Sequence, residues 1–127
     1  MSKKELASLG AAEAEILQLV WELQEATVQQ IFERLPKERG IAPATVQTVL
    51  RRLRDKGYLK SRADARAHVF FPSVKPETVI TKTVRDLVNR FFGGKAAPLM
   101  LHLAETQKLE AADLKRLRKL LKPDQDA

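Results

Sequence analysis

The sequence predicts a mainly α-helical fold with one small β-hairpin, followed by a separate helical segment. Three observations predict it. Apolar residues recur at helical spacing through most of the 127 residues. Residues 58–71 instead alternate like two short strands joined by a turn. After Pro72 the helical pattern resumes with much apolar surface. A chain of this length fits one domain, or a small domain plus an assembly segment.

Two helices are predicted before residue 36. The first begins after Gly10, a tolerable N-cap, and we expect Trp21 to anchor its buried side. The second is capped by Thr27 and runs to about Leu35, with apolar residues at i, i+3, i+4 and i+7. The charged stretch 36–40 then predicts a turn.

A third helix is predicted from Pro43 to about Lys56, and a hairpin follows it directly. Proline suits the first turn of a helix, where its missing N–H costs nothing, and Gly57 is placed to end the helix. The hairpin covers residues 59–71, with strand residues from Tyr58 onward and a turn at 63–66. Three helices and a hairpin in this order predict a winged helix-turn-helix, in which the third helix and the hairpin contact DNA.

The C-terminal part is predicted as three helices that pair with a second copy of the chain. We divide the chain into a winged-helix domain, residues 1–73, and a helical dimerisation domain, residues 74–127. Such an apolar segment must pack on something, and most soluble homo-oligomers are dimers. We therefore favour a homodimer over packing onto the first domain. The predicted interface consists of Ile80, Val84, Leu87, Val88, Phe91, Leu99, Leu103, Leu117 and Leu120.

Charge is segregated along the chain, whose formal net charge is +7. Residues 5–33 contain six acidic residues and no basic one, whereas residues 36–66 contain nine basic and three acidic residues. This distribution predicts one positive face, as phosphate binding requires. A solvated basic surface without a ligand is the alternative on charge alone.

The third helix separates into a buried face and an outer face. Four aliphatic side chains between Val46 and Leu53 fall on one side, and hydroxyl, amide and guanidinium groups fall on the other. Arginine can pair with guanine and glutamine with adenine, while threonine can contact bases or phosphates. The predicted base contacts are Thr45, Gln47, Thr48 and Arg51. The predicted phosphate contacts are Arg52 and Arg54 on the helix, with Lys60, Arg62 and Arg66 in the hairpin.

No catalytic residue, metal site or cofactor is predicted. The chain has no glycine-rich phosphate loop and no nucleophile motif, and its two histidines, His68 and His102, stand apart in a chain without cysteine. No apolar run approaches the roughly 18 residues that a membrane span needs. The N-terminus also lacks the apolar core of a signal peptide. We therefore expect a cytoplasmic protein that is not an enzyme and does not insert into a membrane.

Several motifs carry a resemblance over about Leu9 to Leu121. They are Leu9-Gly10-Ala11-Ala12-Glu13, Val20-Trp21, the stretch from Thr45 to Leu53, Lys56-Gly57-Tyr58-Leu59, Phe70-Phe71-Pro72-Ser73-Val74 and Phe91-Phe92-Gly93-Gly94. With these motifs in this order, the chain resembles the penicillinase-repressor family of the BlaI/MecI type. The resemblance implies a winged-helix repressor that binds palindromic, double-stranded operator DNA as a homodimer.

The resemblance also implies a membrane sensor protease as the upstream signal, which cleaves an Asn-Phe bond in the dimerisation domain. The matching place here is about Leu101-His102-Leu103, which contains no such bond, and the only asparagine, Asn89, precedes Arg90. Two other functions stay open. One is a winged-helix activator or architectural DNA-binding protein. The other is a protein-interaction winged helix, against which the basic outer face of the third helix argues.

Overall fold

The computed structural model describes residues 6–121, and within them it contains six α-helices and one antiparallel hairpin. The elements are α1 (Ala11–Leu23), α2 (Val28–Arg34), α3 (Pro43–Asp55), β1 (Leu59–Asp64), β2 (Ala67–Pro72), α4 (Pro76–Phe91), α5 (Ala96–Thr106) and α6 (Ala111–Leu121). The predicted fold class is confirmed. Where the sequence predicts only a charged turn, Lys37–Arg39 form a short 3₁₀ helix.

The chain divides into two compact units, one ending at Ile80 and the other beginning at Thr81. The sequence predicts the domain boundary after Ser73, before α4. In the structure the first unit also includes the first turn of α4. Val79, in that turn, is buried in the core of the first unit.

The core of the first unit forms where α1, α2, α3 and the hairpin meet. Helix α3 packs against α1, α2 and β1, so the helix with the basic outer face is also the centre of the core. Full burial of one large aliphatic side chain contributes about 1.5–3 kcal/mol. The largest fully buried side chains are Ile16, Leu17, Val20, Ile31, Val46, Leu50, Leu53 and Leu59. Trp21 is half-buried and packs against this core, as predicted.

Hydrogen bonds between backbone amides and side chains set the first residues of α1 and α2. The Gly10 amide donates to Glu13 Oε1 at 2.9 Å, which satisfies a free donor at the start of α1. At α2, the Gln30 amide donates to Thr27 Oγ1 at 3.2 Å, and the Thr27 amide donates to Gln30 Oε1 at 2.9 Å. This second pair is a capping box. Both predicted N-caps, Gly10 and Thr27, are confirmed.

The end of α3 controls where the hairpin starts. Gly57 has a φ of +94°, and its amide donates to Arg54 O at 3.0 Å, while the Tyr58 amide donates to Leu53 O at 2.9 Å. These two bonds close the helix as a Schellman motif. The prediction that Tyr58 begins the first strand is therefore wrong, because its amide is used to end the helix. Strand β1 begins one residue later, at Leu59.

The hairpin is tightly turned, and β2 has neighbours on both sides. Asp64 pairs with Ala67 next to a turn in which Ala65 has a left-handed φ of 56°. On the other edge of β2, Ala26 and Phe70 exchange two backbone hydrogen bonds of 2.9 and 2.8 Å. The segment between α1 and α2 therefore adds a one-residue third strand to the hairpin.

The second unit exposes much apolar surface. Phe91 is 73% exposed and Leu120 is 81% exposed. Of the other predicted interface residues in this unit, Val84, Leu87 and Leu103 are exposed, Leu99 and Leu117 are half-buried, and Val88 is buried. Ile80, the last residue of the first unit, is exposed. Among residues 6–121, no helix is both long and apolar enough to cross a bilayer.

Candidate nucleic-acid interface

An open groove lies between the start of α2, the outer face of α3 and the β1–β2 hairpin, which we call the wing. Its volume is about 690 Å³. It is lined by Thr27, Val28 and Gln29 of the α2 start, by Pro43, Ala44, Gln47, Arg51 and Arg54 of α3, and by Arg66, Ala67, His68 and Phe70 of the wing. We call it the α3–wing groove.

The charged residues that line the α3–wing groove are all positive. Among its lining residues, all of which lie in the described part of the chain, Arg51, Arg54 and Arg66 carry positive charge and none is acidic. Arg54 Nη1 donates to Ser61 Oγ at 3.1 Å, which ties α3 to β1, while Asp55 lies 3.6 Å from Arg54 Nε. Guanidinium groups converging on one concave surface can bind phosphate oxygens and the acceptor edge of guanine.

The other residues predicted to contact DNA from α3 lie outside the groove lining. Thr45, Thr48 and Arg52 are exposed on the helix surface. The hydroxyl of Thr48 donates to Ala44 O, one turn back, at 3.1 Å. That hydroxyl can still accept a hydrogen bond, and its methyl group stays available for apolar contact. Base contact by these residues stays a prediction.

The wing has two faces, and the predicted phosphate contacts divide between them. In an antiparallel pair, directly opposed side chains share a face. Ser61 opposes Phe70 and Ala63 opposes His68, so this face includes the groove-lining His68 and Phe70. Lys60 opposes Phe71 and Arg62 opposes Val69 on the reverse face. Of the predicted wing contacts, only Arg66, at the turn, lines the groove.

Ion pairs neutralise several basic residues away from the groove. Arg34 pairs with Glu22 at 3.0 Å and Arg39 with Glu15 at 2.8 Å. Lys56 pairs with Glu13 at 2.8 Å and Arg62 with Glu25 at 2.7 Å. The acidic and basic stretches of the sequence are thus partly paired with each other. Fewer basic residues are therefore left without an acidic neighbour than the sequence predicts, and the α3–wing groove contains Arg51, Arg54 and Arg66.

Glu13 and Lys56 link the end of α3 to the start of α1. Lys56 Nζ donates to Glu13 Oε1 at 2.8 Å and to Ser8 O at 3.1 Å, and the Tyr58 hydroxyl donates to Ala7 O. Burial would raise the pKa of the Glu13 carboxyl. The hydrogen bonds from Lys56 and from the Gly10 amide, with the charge of Lys56, outweigh that effect and lower the pKa below 4.5.

Three polar residues line the groove that are not among the predicted DNA contacts: Thr27, Gln29 and His68. The sequence predicts Thr27 as a helix cap and His68 as a strand residue, and neither role indicates the groove. The two-residue spacing between His68 and Phe70 was the available sign that both side chains lie on the same face of β2. Within residues 6–121, no group of three potential metal ligands comes together.

Comparisons with known proteins agree with this geometry. The model of a family described as penicillinase repressor matches residues 9–123. The chain is 25% identical over 118 residues to the penicillinase repressor of Bacillus licheniformis, covering 93% of this chain and 92% of that protein. It is 25% identical over 113 residues to the methicillin resistance regulatory protein MecI of Mammaliicoccus sciuri, covering 89% and 92%.

Solved structures show the same architecture. The solution structure of the DNA-binding domain of the repressor BlaI is 27% identical, with a TM-score of 0.51, and the match covers 58% of this chain and 90% of that one. The crystal structure of apo MarR from E. coli is 19% identical, with a TM-score of 0.50, and the match covers 89% and 75%. The second likeness is one of fold alone.

Proposed function

The chain belongs to the penicillinase repressor family, and we propose that it is a homodimeric repressor that binds a palindromic duplex operator. Helix α3 enters the major groove, and the wing lies against the adjacent phosphate backbone. The relatives are repressors rather than enzymes, so the chain is not an enzyme. The proposal places it in the cytoplasm, where it has access to promoter DNA.

The α3–wing groove is the observation that carries this proposal. Arg51 and Arg54 on α3 and Arg66 on the wing line one concave surface that has no acidic lining residue in the described chain. Phosphate contacts supply most of the affinity of such a protein, and base-edge contacts supply its specificity. In this arrangement Gln47 and Arg51 read bases with Thr45 and Thr48. Arg52, Arg54 and Arg66 hold phosphates in or beside the groove, and Lys60 holds one from the reverse face of the wing.

In the proposed homodimer, a two-fold axis relates the α3–wing grooves of the two protomers, so that both can bind the same palindromic operator. A single module held mainly by phosphates binds weakly at physiological salt, and linking two modules raises the affinity through their effective concentration. The exposed apolar residues of the second unit support this part of the proposal, with Phe91 73% exposed and Leu120 81% exposed. Operator half-sites centred one helical turn apart, or a multiple of it, follow from the axis.

The experiment that tests the proposal is selection from a random pool of duplex DNA by the full chain. We expect an enriched palindromic consensus with half-sites about 10 bp apart, or a multiple of that spacing. Enrichment of an asymmetric single site would contradict the dimer. No enrichment over several rounds at low salt would contradict the DNA-binding function itself.

The dimer has its own test in sedimentation and in binding to the selected duplex. Phe91→Glu places a charge in the predicted interface, so we expect a monomer with weak operator binding. Leu101→Glu is the matched control, because Leu101 is 65% exposed but lies about 200° around α5 from Leu99. A monomeric wild type, or equal effects from both variants, would contradict the assigned interface.

Release of the operator in this proposal follows from separating the dimer, with a sensor protease as the upstream signal. A protease recognition sequence can be inserted between Gly94 and Lys95, in the loop between α4 and α5. Cleavage at this sequence tests, without an inducer, whether separating the dimer releases the operator. Cutting there should release the selected duplex. Unchanged affinity after complete cutting would show that the helices beyond the loop are not needed for operator binding.

A further inference from the structure

Arg62 forms a brace across the reverse face of the wing. Its Nη2 donates to Glu25 Oε1 at 2.7 Å and its Nη1 donates to Glu25 Oε2 at 3.1 Å. The carbon atom of the same guanidinium group, Cζ, lies 5.5 Å from the centre of the Phe71 ring. The side chain thus starts on β1, passes over β2 and ends at the segment that joins α1 to α2. We call Glu25, Phe71 and Arg62 the wing brace.

The backbone beside the brace is held in an unusual conformation. Gln24, at the end of α1, has a φ of 72° and a ψ of −38°, which residues other than glycine rarely adopt. The next residue is Glu25, and the one after it is Ala26, which bridges to Phe70. Strained backbone persists only where its surroundings over-determine it. Here the restraints are the ion pair of Glu25 with Arg62 and the backbone bridge of Ala26. They hold the two residues that follow Gln24.

The brace lies on the side of the wing that faces away from the α3–wing groove. Arg62 opposes Val69 in the hairpin register, whereas His68 and Phe70, on the other face, line the groove. Both carboxylate oxygens of Glu25 are occupied by the guanidinium. Two of the five guanidinium N–H groups of Arg62 are directed at Glu25, so the pair holds the side chain on the face of the wing opposite the groove.

We propose that Glu25 is a positioning residue, which through Arg62 holds the wing at the angle that points Arg66 and His68 toward DNA bound on α3. This inference rests on the proposed function, and it reassigns Arg62 from a phosphate contact to a support of the wing. The planar fork of arginine is essential to it, because a lysine ammonium is a point charge and cannot hold both carboxylate oxygens in one plane.

The test compares variants of the full chain on two probes, the duplex enriched by selection and a scrambled duplex of the same length. Glu25→Gln and Arg62→Lys are the informative variants, and Arg62→Ala completes the set. Glu22→Gln is the matched control. It removes the same charge near the same end of α1 and breaks only the pair with Arg34, which lies on α2.

We expect Glu25→Gln to lower affinity for both duplexes about two- to fivefold relative to Glu22→Gln, the scale of an exposed ion pair, because the Arg66 that it misplaces is a phosphate contact and acts on any sequence. Arg62→Lys and Arg62→Ala should lose about as much, and the double variant Glu25→Gln/Arg62→Ala no more than either. The salt slope of binding should change by much less than the 0.9 or so that one lost phosphate contact removes.

The opposite pattern would overturn the proposal. If Arg62 contacts phosphate, Glu25→Gln frees it and tightens binding to both probes, and Arg62→Lys keeps most of the affinity. Unfolding curves followed by Trp21 fluorescence show whether each variant is folded, and Arg62→Lys keeps the test valid if Arg62→Ala unfolds. A wild type that binds neither duplex contradicts the proposed function itself, whereas a binding wild type with the opposite variant pattern contradicts only the role of Glu25.

Discussion

Replacing Glu13 by glutamine tests the link between the end of α3 and the start of α1. Glu13 is only 6% exposed, and its carboxylate accepts from the Gly10 amide and from Lys56 Nζ. A hydrogen bond to a charged group contributes about 1.5–3 kcal/mol, and one between neutral groups about 0.5–1.5 kcal/mol. Glutamine keeps an acceptor oxygen but loses the charge. We therefore expect Glu13→Gln to lower the free energy of unfolding by about 1–2 kcal/mol at pH 7.

The effect should depend on pH with a defined sign. The folded state lowers the pKa of Glu13 below 4.5. A lowered carboxylate pKa contributes stability above the unfolded value and loses it as the pH falls through the folded value. The difference between wild type and Glu13→Gln should be complete at pH 6–7 and should shrink below about pH 4.5.

Urea unfolding followed by Trp21 fluorescence measures this difference in the free energy of unfolding of the first unit, which contains Glu13. Trp21 is the only tryptophan in the chain and lies on α1 in the first unit. Glu22→Gln is the control, since its carboxylate is exposed and its ion pair should contribute less than about 0.5 kcal/mol. Equal losses for the two variants, or a Glu13→Gln difference as large at pH 3 as at pH 7, would refute the reasoning.

Two further predictions concern the packing of the first unit. Leu50→Ala should lower the free energy of unfolding by about 2–5 kcal/mol in the same assay, because Leu50 is fully buried in α3; a loss below 1 kcal/mol would contradict the packing. Gly57→Ala should cost more than Gly40→Ala. Both glycines have a positive φ, but a Cβ at Gly57 would lie 3.2 Å from Leu6 Cδ2, whereas one at Gly40 meets nothing within 4 Å. Equal midpoints for the two variants would contradict this.

The order of the helices and hairpin could be predicted because local signals agreed. Apolar spacing, the caps at Gly10 and Thr27 and the ends at Pro43 and Gly57 all point to the same boundaries, and the structure confirms them. The start of β1 was missed by one residue. Tyr58 has the composition of a strand residue, yet its amide completes the helix end, and hydrogen-bond use of this kind is not visible in composition.

The candidate site was only partly predictable. Helical facing placed Gln47, Arg51 and Arg54 on the outer side of α3, and the structure brings them together with Arg66. Which face of β2 lines the groove was not predicted, because it depends on the hairpin register and on how the hairpin packs beside α3. That register depends on a turn at Ala65 without an Asn-Gly signal.

Contacts between residues distant in the sequence could not be predicted either. Arg62 reads as one more basic residue of the wing, and only the folded chain shows Glu25 beside it. The charge asymmetry behaves in the same way. The segregated charges predict a positive face, and the α3–wing groove has three arginines and no acidic lining residue. The sequence does not show that four acidic residues of α1 and its C-terminal flank pair with basic residues outside the groove.

The measurement that tests the central claim most directly is the binding of Arg51→Ala and Arg54→Ala to the selected and scrambled duplexes at several salt concentrations. Arg51→Ala should lower binding to the selected duplex by about 1–3 kcal/mol and relax one base position. Arg54→Ala should weaken both duplexes alike and reduce the salt slope by about 0.9. Arg39→Ala is the charge control, since Arg39 is paired with Glu15. Equal losses on both duplexes for Arg51→Ala and Arg54→Ala would contradict sequence reading by α3.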